Sequence, residues 1–239
     1  MLSLASESVR VHVAFTLAEV SAAQTAIVVD VLRATSTIAQ ALAGGYERVL
    51  CCAEIDEARF LRQARGEGAL AGERECVRIP GFDLGNSPAD FVEPIAKTVI
   101  LTTTNGTRAL IAAGAAAERV FAASLLNLAA VAARARGLGG DVTILCAGVL
   151  GEFAMDDAYC AGRIVELIDG EPSDGARAAL RLAQSFETAE QGLAASQSAR
   201  NLLAAHLADD IAWCARESVL DIVPHIAQIQ AAAVDVTAG

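Results

Sequence analysis

Lysine is almost missing from this chain of 239 residues: of its 18 basic residues only Lys97 is a lysine. That removes Schiff-base lysines and phosphate-loop lysines from every other position. Positive charge is short as well. The 29 acidic residues leave a net charge of −11, which argues against a nucleic-acid partner, whose phosphates need a basic surface. Histidine occurs three times, at His12, His206 and His225, never in a metal-binding or phosphohistidine pattern. No two cysteines form a CxxC pair. Cys51, Cys52, Cys76, Cys146, Cys160 and Cys214 read as buried, reduced thiols. Uninterrupted apolar runs are missing too. Mean hydropathy is +0.43, but alanine carries it, and Arg, Asp or Glu breaks each long stretch before the roughly 18 residues a membrane span needs. The N-terminus MLSLASESVR lacks a basic region leading into an apolar run. The expectation is a cytoplasmic protein with no membrane partner.

Several reaction designs are also absent. No cysteine has Arg six positions later; Glu152 occupies that place after Cys146. Asp30 follows an apolar run, but Leu32 stands where aspartyl-phosphate phosphatases carry a second Asp. There is no GxSxG elbow, and the GLGG run at 137–140 does not continue as a dinucleotide fingerprint.

What is present is alternation. Apolar strand candidates at Val9–Phe15, Ala26–Val31, Arg48–Ala53, Ala69–Gly72, Thr98–Thr103, Arg119–Ala123 and Asp141–Cys146 are separated by helical spacings. The helices are expected at Ser36–Ala43, Ile55–Arg65, Thr107–Ala113, Leu126–Arg136 and Asp156–Leu167. This predicts an α/β fold with a largely parallel or mixed sheet covered on both faces. Residues 173–216 predict two or three further helices packed onto it, and Ser218–Val223 a late strand closed by Pro224. Cys76–Pro94, with Pro80, Gly81, Gly85, Pro88 and Pro94, predicts a long ordered loop. No repeat or linker divides the chain, so residues 1–239 are expected to form a single domain.

Four strand ends carry polar chemistry. In IVVDVLRATST, Asp30 and Arg33 fall past a strand, and Thr35, Ser36 and Thr37 at a helix start. Such a place binds anions, and Arg33 adds a planar fork; the plainer reading is a capped helix with a surface ion pair. In VILTTTNGTRAL, Thr104, Asn105, Gly106 and Thr107 form a donor-rich turn, again readable as a cap. Glu73 follows a third strand, and Asp83, Asn86 and Ser87 lie in the proline-rich loop. Asp156 and Asp157 open a helix after Cys146. They are ordinary first-turn acids or hard oxygen ligands for Mg²⁺. Ser196, Ser198, Asn201 and Asp210 fit helix surfaces and read as mainly structural. Carboxylates for a divalent cation beside Arg and amide donors for an anion match the needs of metal-assisted phosphoryl transfer.

The motifs DVLRATST, GERECVRIPGFDLGNSP, TTTNGTRAL, CAG…DDAYCAG and SQSARNLLAAHLADDIAWCA, in this order, resemble the 2-phosphosulfolactate phosphatase family from about Val28 to about Val223. The resemblance implies a three-layer α/β/α fold, commonly oligomeric, and Mg²⁺-dependent hydrolysis of 2-phospho-3-sulfolactate to sulfolactate and phosphate, a step toward coenzyme M in methanogenic archaea. It places motif positions on Asp30, Arg33, Thr35, Glu73, Asp83, Asn86, Asn105, Gly106, Thr107, Asp156 and Asp157. Chemistry then suggests metal oxygens from Asp30, Glu73 and Asp156 or Asp157. It suggests anion binding by Arg33 and the Thr104–Thr107 turn. The nucleophile is a metal-activated water or one of the aspartates. Two departures stand out: Glu75 and Cys76 follow the GER motif where glycines are usual, and Asp156–Asp157 replaces Glu-Asp. The substrate is phosphosulfolactate or a similar small phosphorylated hydroxy acid. A non-catalytic module binding an anionic metabolite, and a metal-dependent isomerase or lyase, are the alternatives. The apolar composition predicts a homodimer.

Overall fold

The computed structural model describes residues 9–230 and 233–238; the first eight residues of the N-terminal stretch read above lie outside them. The first half alternates strand and helix: β1 (Arg10–Ala14), β2 (Ala23–Val29), α1 (Ala34–Gly44), β3 (Arg48–Cys51), α2 (Ile55–Arg65), β4 (Ala69–Arg74), β5 (Val77–Arg78), β6 (Thr98–Thr102) and α3 (Gly106–Ala116). Then follow β7 (Ala117–Ala123), α4 (Leu128–Leu138), β8 (Asp141–Cys146), α5 (Met155–Ile168), β9 (Glu171–Pro172) and four helices, α6 (Asp174–Gln184), α7 (Ala189–Ala194), α8 (Gln197–Ala204) and α9 (Ala208–Cys214). A hairpin of β10 (His225–Gln230) and β11 (Ala233–Thr237) completes the described elements.

The strands join one mixed sheet in the order β5-β4-β6-β3-β11-β10-β7-β2-β8-β1-β9. Strands β2, β7, β8 and β1 run parallel, as do β3, β6 and β4; the β10–β11 hairpin is antiparallel between these two blocks. Strand β2 shows why the sheet is covered on both faces. Its side chains alternate: Ile27 and Val29 pack with Leu128, Val131 and Ile164 of α4 and α5, while Ala26 and Val28 pack with Ile38, Ala109 and Leu110 of α1 and α3. Leu50 and Ile100 repeat the pattern against Ala58 of α2. Each such aliphatic side chain contributes about 1.5–3 kcal/mol when fully buried.

Two expectations change. Ser218–Val223 is not a strand. Its amides are taken by a neighbouring turn, Ser218 N–H donating to Leu125 O at 2.8 Å and Leu220 N–H to Leu126 O at 2.9 Å. The strand begins after Pro224, and its partner β11 is buried against β3. Residues 173–216 hold four helices rather than two or three. The long loop is ordered, as expected, but contains β5 and a single 3-10 turn at Pro88–Phe91. The six cysteines are free thiols, with all but the half-buried Cys76 fully inside.

Candidate active site

Strands β2 and β8 are parallel and end side by side, as do β4 and β6; the two pairs run in opposite directions in the sheet, yet the loops that follow them meet, with Gly106 of α3 against Asp30. There they surround a cavity of about 740 Å³. Asp30, Arg33, Glu73, Asn86, Thr104, Asn105, Asp156 and Asp157 all border it. Thr35, Ser36, Asp83, Ser87, Gly106 and Thr107 do not, and each has another task.

Asp30 sits one residue past β2 and is 8% exposed. Its Oδ1 accepts the Ala34 amide at 3.2 Å. Thr35 locks the turn: its Oγ1 accepts the Asp30 amide at 3.1 Å and donates to the Asp30 carbonyl at 2.9 Å. Ser36 donates to Val31 O at 2.7 Å, and Thr37 to Asn86 O at 3.0 Å, which ties α1 to the proline-rich loop. These hydroxyls hold backbone in place and are spent before a ligand arrives. Gly106 works by lacking a side chain. A Cβ there would lie 2.5 Å from Asp30 Oδ2 and 2.5 Å from Ala34 Cβ, so only glycine lets α3 approach the carboxylate. Thr107 and Thr103 cap α3 reciprocally at 3.1–3.3 Å.

Glu73, at the end of β4, accepts the amides of Thr104 and Cys76 at 2.9 Å each and the Thr104 hydroxyl at 3.0 Å. It thus joins the β4–β5 turn to the Thr104–Asn105 turn. Asp157 bridges two strand ends in the same way, accepting Val31 N–H and Gly148 N–H at 3.0 Å each. Asp156 accepts the hydroxyl of Ser198 at 3.1 Å.

Arg33 does not pair with these acids. Its Nη1 donates to Asp210 of α9 at 2.6 Å and its Nη2 to Cys76 O at 3.0 Å, with both ends of the ion pair inside the protein. Ser87 donates to the other Asp210 oxygen at 2.5 Å. Asp83 faces away from the cavity, accepting Leu70 N–H at 2.8 Å and pairing with Arg62 at 3.4 Å. It borders, with Ser87, a groove of about 440 Å³ that shares Arg33, Cys76 and Asn86 with the main cavity.

The wall formed by Asp30, Asp156 and Asp157 is therefore a cluster of buried carboxylates without a paired cation among the described residues. Burial, then the charges of Asp156 and Glu73, push the Asp30 carboxyl up to about 7. Burial pushes Asp156 up to about 6, against the Ser198 hydrogen bond. Asp157 is also raised well above the ordinary range, by burial and then by Asp156 and Asp30. Such a wall needs either protons or a cation.

A sequence pattern decides which family built this site. The one described as 2-phosphosulpholactate phosphatase matches residues 12–228. The chain belongs to the 2-phosphosulfolactate phosphatase family. Relatives named probable 2-phosphosulfolactate phosphatase share its length. The one from Carboxydothermus hydrogenoformans is 39% identical over 202 residues, 83% of this chain and 84% of its own. That from Pseudothermotoga lettingae is 39% identical over 217 residues, 90% and 94% of the two chains. That from Thermotoga petrophila is 40% identical over 206 residues, 84% and 88%. No helix among the described residues is long and apolar enough to cross a membrane.

Sequence reasoning missed the contribution of the late helices. Ser198 and Asn201 of α8 border the cavity, and Asp210 carries Arg33. The sequence alone places these residues on helix surfaces. The signal that could have found Asp210 is Arg33 itself: a guanidinium beside an apolar strand needs a carboxylate. Arg74 and Cys76 border the cavity as well.

Proposed function

We propose that this protein is a Mg²⁺-dependent phosphomonoesterase that hydrolyses 2-phosphosulfolactate, or a similar small phosphorylated hydroxy acid, to the hydroxy acid and phosphate. The observation that carries this reading is the uncompensated pair Asp30 and Asp156 in the cavity at the strand ends. Their oxygens fit Mg²⁺, which is commonly held by one or two carboxylates plus waters and substrate phosphate. Among the described residues no group of three or more His, Cys, Asp or Glu could hold a metal ion by itself, so waters and the substrate phosphate would have to complete the coordination. Glu73 and Asp157, also expected as ligands, spend both oxygens on amides and so better serve to orient the strand-end turns. Bound Mg²⁺ would neutralise charge on the phosphoryl oxygens and favour ionisation of a nearby water.

The chain's own residues do the rest. Arg33, held by Asp210, and the Thr104–Asn105 turn, held by Glu73, offer donors to the phosphoryl group from fixed positions. Water attacks phosphorus, the ester P–O bond breaks, and the leaving alkoxide takes a proton. That proton is matched by the one the attacking water loses, so the step balances without a further acid, and Asp30 as a ligand of the cation stays ionised. An aspartate nucleophile remains the competing route. Trapping of an aspartyl phosphate during turnover, by borohydride reduction of the acyl phosphate to homoserine, distinguishes the two.

The homodimer and the cytoplasmic location expected from composition belong with this proposal; sedimentation equilibrium tests the first. The reaction itself is tested by product analysis. The hydrolase releases one phosphate for each sulfolactate formed from 2-phosphosulfolactate. A rearranged product that retains phosphorus would make it an isomerase instead, and binding without turnover would make it a sensor module.

A further inference from the structure

Two arginines border the main cavity, and they differ in one respect. Arg33 is already neutralised by Asp210. Arg74 has no carboxylate within ion-pair distance among the described residues. Its Nη1 donates to Glu73 O at 2.7 Å, and its Nη2 to Ala53 O at 3.1 Å and Thr102 Oγ1 at 3.0 Å. These three neutral acceptors fix the guanidinium plane, leave two of its five N–H groups free and leave its charge uncompensated. A half-buried, immobilised cation of this kind is prepared for an anion that the chain does not supply.

Its position says which anion. Arg74 also borders a smaller cavity of about 330 Å³. Thr104, Asn105 and Leu150 border both spaces, so the small cavity opens beside the turn that faces the acid wall. Arg108 borders it too but is paired with Glu54 at 2.5 Å. A substrate with two strong acids on neighbouring carbons has to put one at Asp30 and Asp156 and direct the other elsewhere. The second cannot approach the carboxylates without a cation of its own.

We propose that Arg74 holds the second strong acid of the substrate, the sulfonate on the carbon next to the phosphate-bearing one, at the mouth of this side cavity. The inference rests on the phosphosulfolactate reading above. It makes Arg74 the residue that distinguishes a phosphorylated sulfo acid from a phosphorylated acid with a methyl group in that place.

The test compares wild type with Arg74→Gln and Arg74→Lys on 2-phosphosulfolactate and 2-phospholactate, together with calorimetric titration of the product sulfolactate. The ratio of kcat/KM values, sulfonate over methyl, is expected to fall about 50-fold in Arg74→Gln and less in Arg74→Lys, which keeps the charge but not the fork. Sulfolactate binding should weaken in parallel. A purely structural brace would lower both substrates equally and leave the ratio unchanged; that result overturns the assignment while leaving the phosphatase reading intact. If wild type releases no phosphate yet binds sulfolactate in an Arg74-dependent way, Arg74 stands and the phosphatase reading falls. If wild type neither binds sulfolactate nor releases phosphate, both fall.

Discussion

Arg33 Nη1 donates to Asp210 Oδ2 at 2.6 Å across 177 positions of sequence, with the two side chains only 3% and 6% exposed. This pair joins the loop after β2 to α9, and so closes the late helices over the cavity. Removing one partner leaves the other charged and buried, a loss on the order of 3–5 kcal/mol. Asp210→Ala is therefore expected to lower the melting temperature sharply and to lower kcat/KM on any phospho acid. Asp210→Asn, which keeps a hydrogen bond to Arg33, should fall between it and wild type. Thermal denaturation and steady-state rates on both variants check this; an Asp210→Ala protein as stable as wild type contradicts it.

The acid wall makes stability depend on pH in an unusual direction. An unfolded Asp titrates near 3.8, whereas folded Asp30 titrates at about 7 and Asp156 at about 6. Between these values the folded protein binds more protons than the unfolded one, so stability rises as pH falls. Their contribution is complete below the unfolded value and is lost as pH climbs through the folded values. In EDTA the melting temperature should rise from about pH 8 to about pH 5.5. Asp30→Asn should flatten this rise while abolishing turnover. Added Mg²⁺ should stabilise wild type more at the alkaline end, where the carboxylates are ionised. A melting temperature that falls over this window in EDTA would count against the buried cluster.

Gly106→Ala inserts a methyl group 2.5 Å from both Asp30 Oδ2 and Ala34 Cβ. Either α3 retreats or the carboxylate turns away. The expected cost is about 1–3 kcal/mol of stability, with a loss of kcat larger than any rise in KM, because the displaced group does chemistry. Normal kcat with only a changed KM would show that Asp30 does not need its present position.

The turn between β4 and β5 carries Glu75 and Cys76 at φ 53° and 66°, both in the left-handed region. Two-residue hairpin turns of this kind prefer Asn and Gly, and other residues there cost about 1–2 kcal/mol each. Glu75→Asn is thus expected to raise stability by up to about 1 kcal/mol. Chemical denaturation measures it; a destabilised Glu75→Asn protein would mean that the Glu75 side chain makes a compensating contact.

Much of this could be read from the sequence, for physical reasons. The apolar cores of β2, β6 and β8 (AIVV, VIL and ILC) lead to Asp30, Thr103 and Cys146, and such buried segments between helical spacings leave few alternatives. That Asp30 and Asp156 lie together follows from β2 and β8 being parallel neighbours, whereas Glu73 comes from a block of strands running the other way and only the fold shows that it joins them. The roles of neighbouring hydroxyls did not follow. A Thr at a strand end can face a ligand or its own backbone, and only the fold shows that Thr35, Ser36 and Thr107 face inward. Strand β11 carries little sequence signal because AVDVT is short and centred on an acid. Asp235 is tolerated there through Arg48, at 3.0 Å, from the neighbouring strand. Asp210 escaped because its partner is remote in sequence.

The central claim is that the Asp30–Asp156 wall serves a cation-dependent phosphoryl transfer. Phosphate release from 2-phosphosulfolactate, measured with Mg²⁺, then with EDTA, then with Mg²⁺ restored, tests it most directly. The account predicts release that EDTA abolishes and Mg²⁺ restores, with sulfolactate formed in equal amount. Release that continues unchanged in EDTA, or no release from folded protein with Mg²⁺ present, would contradict it.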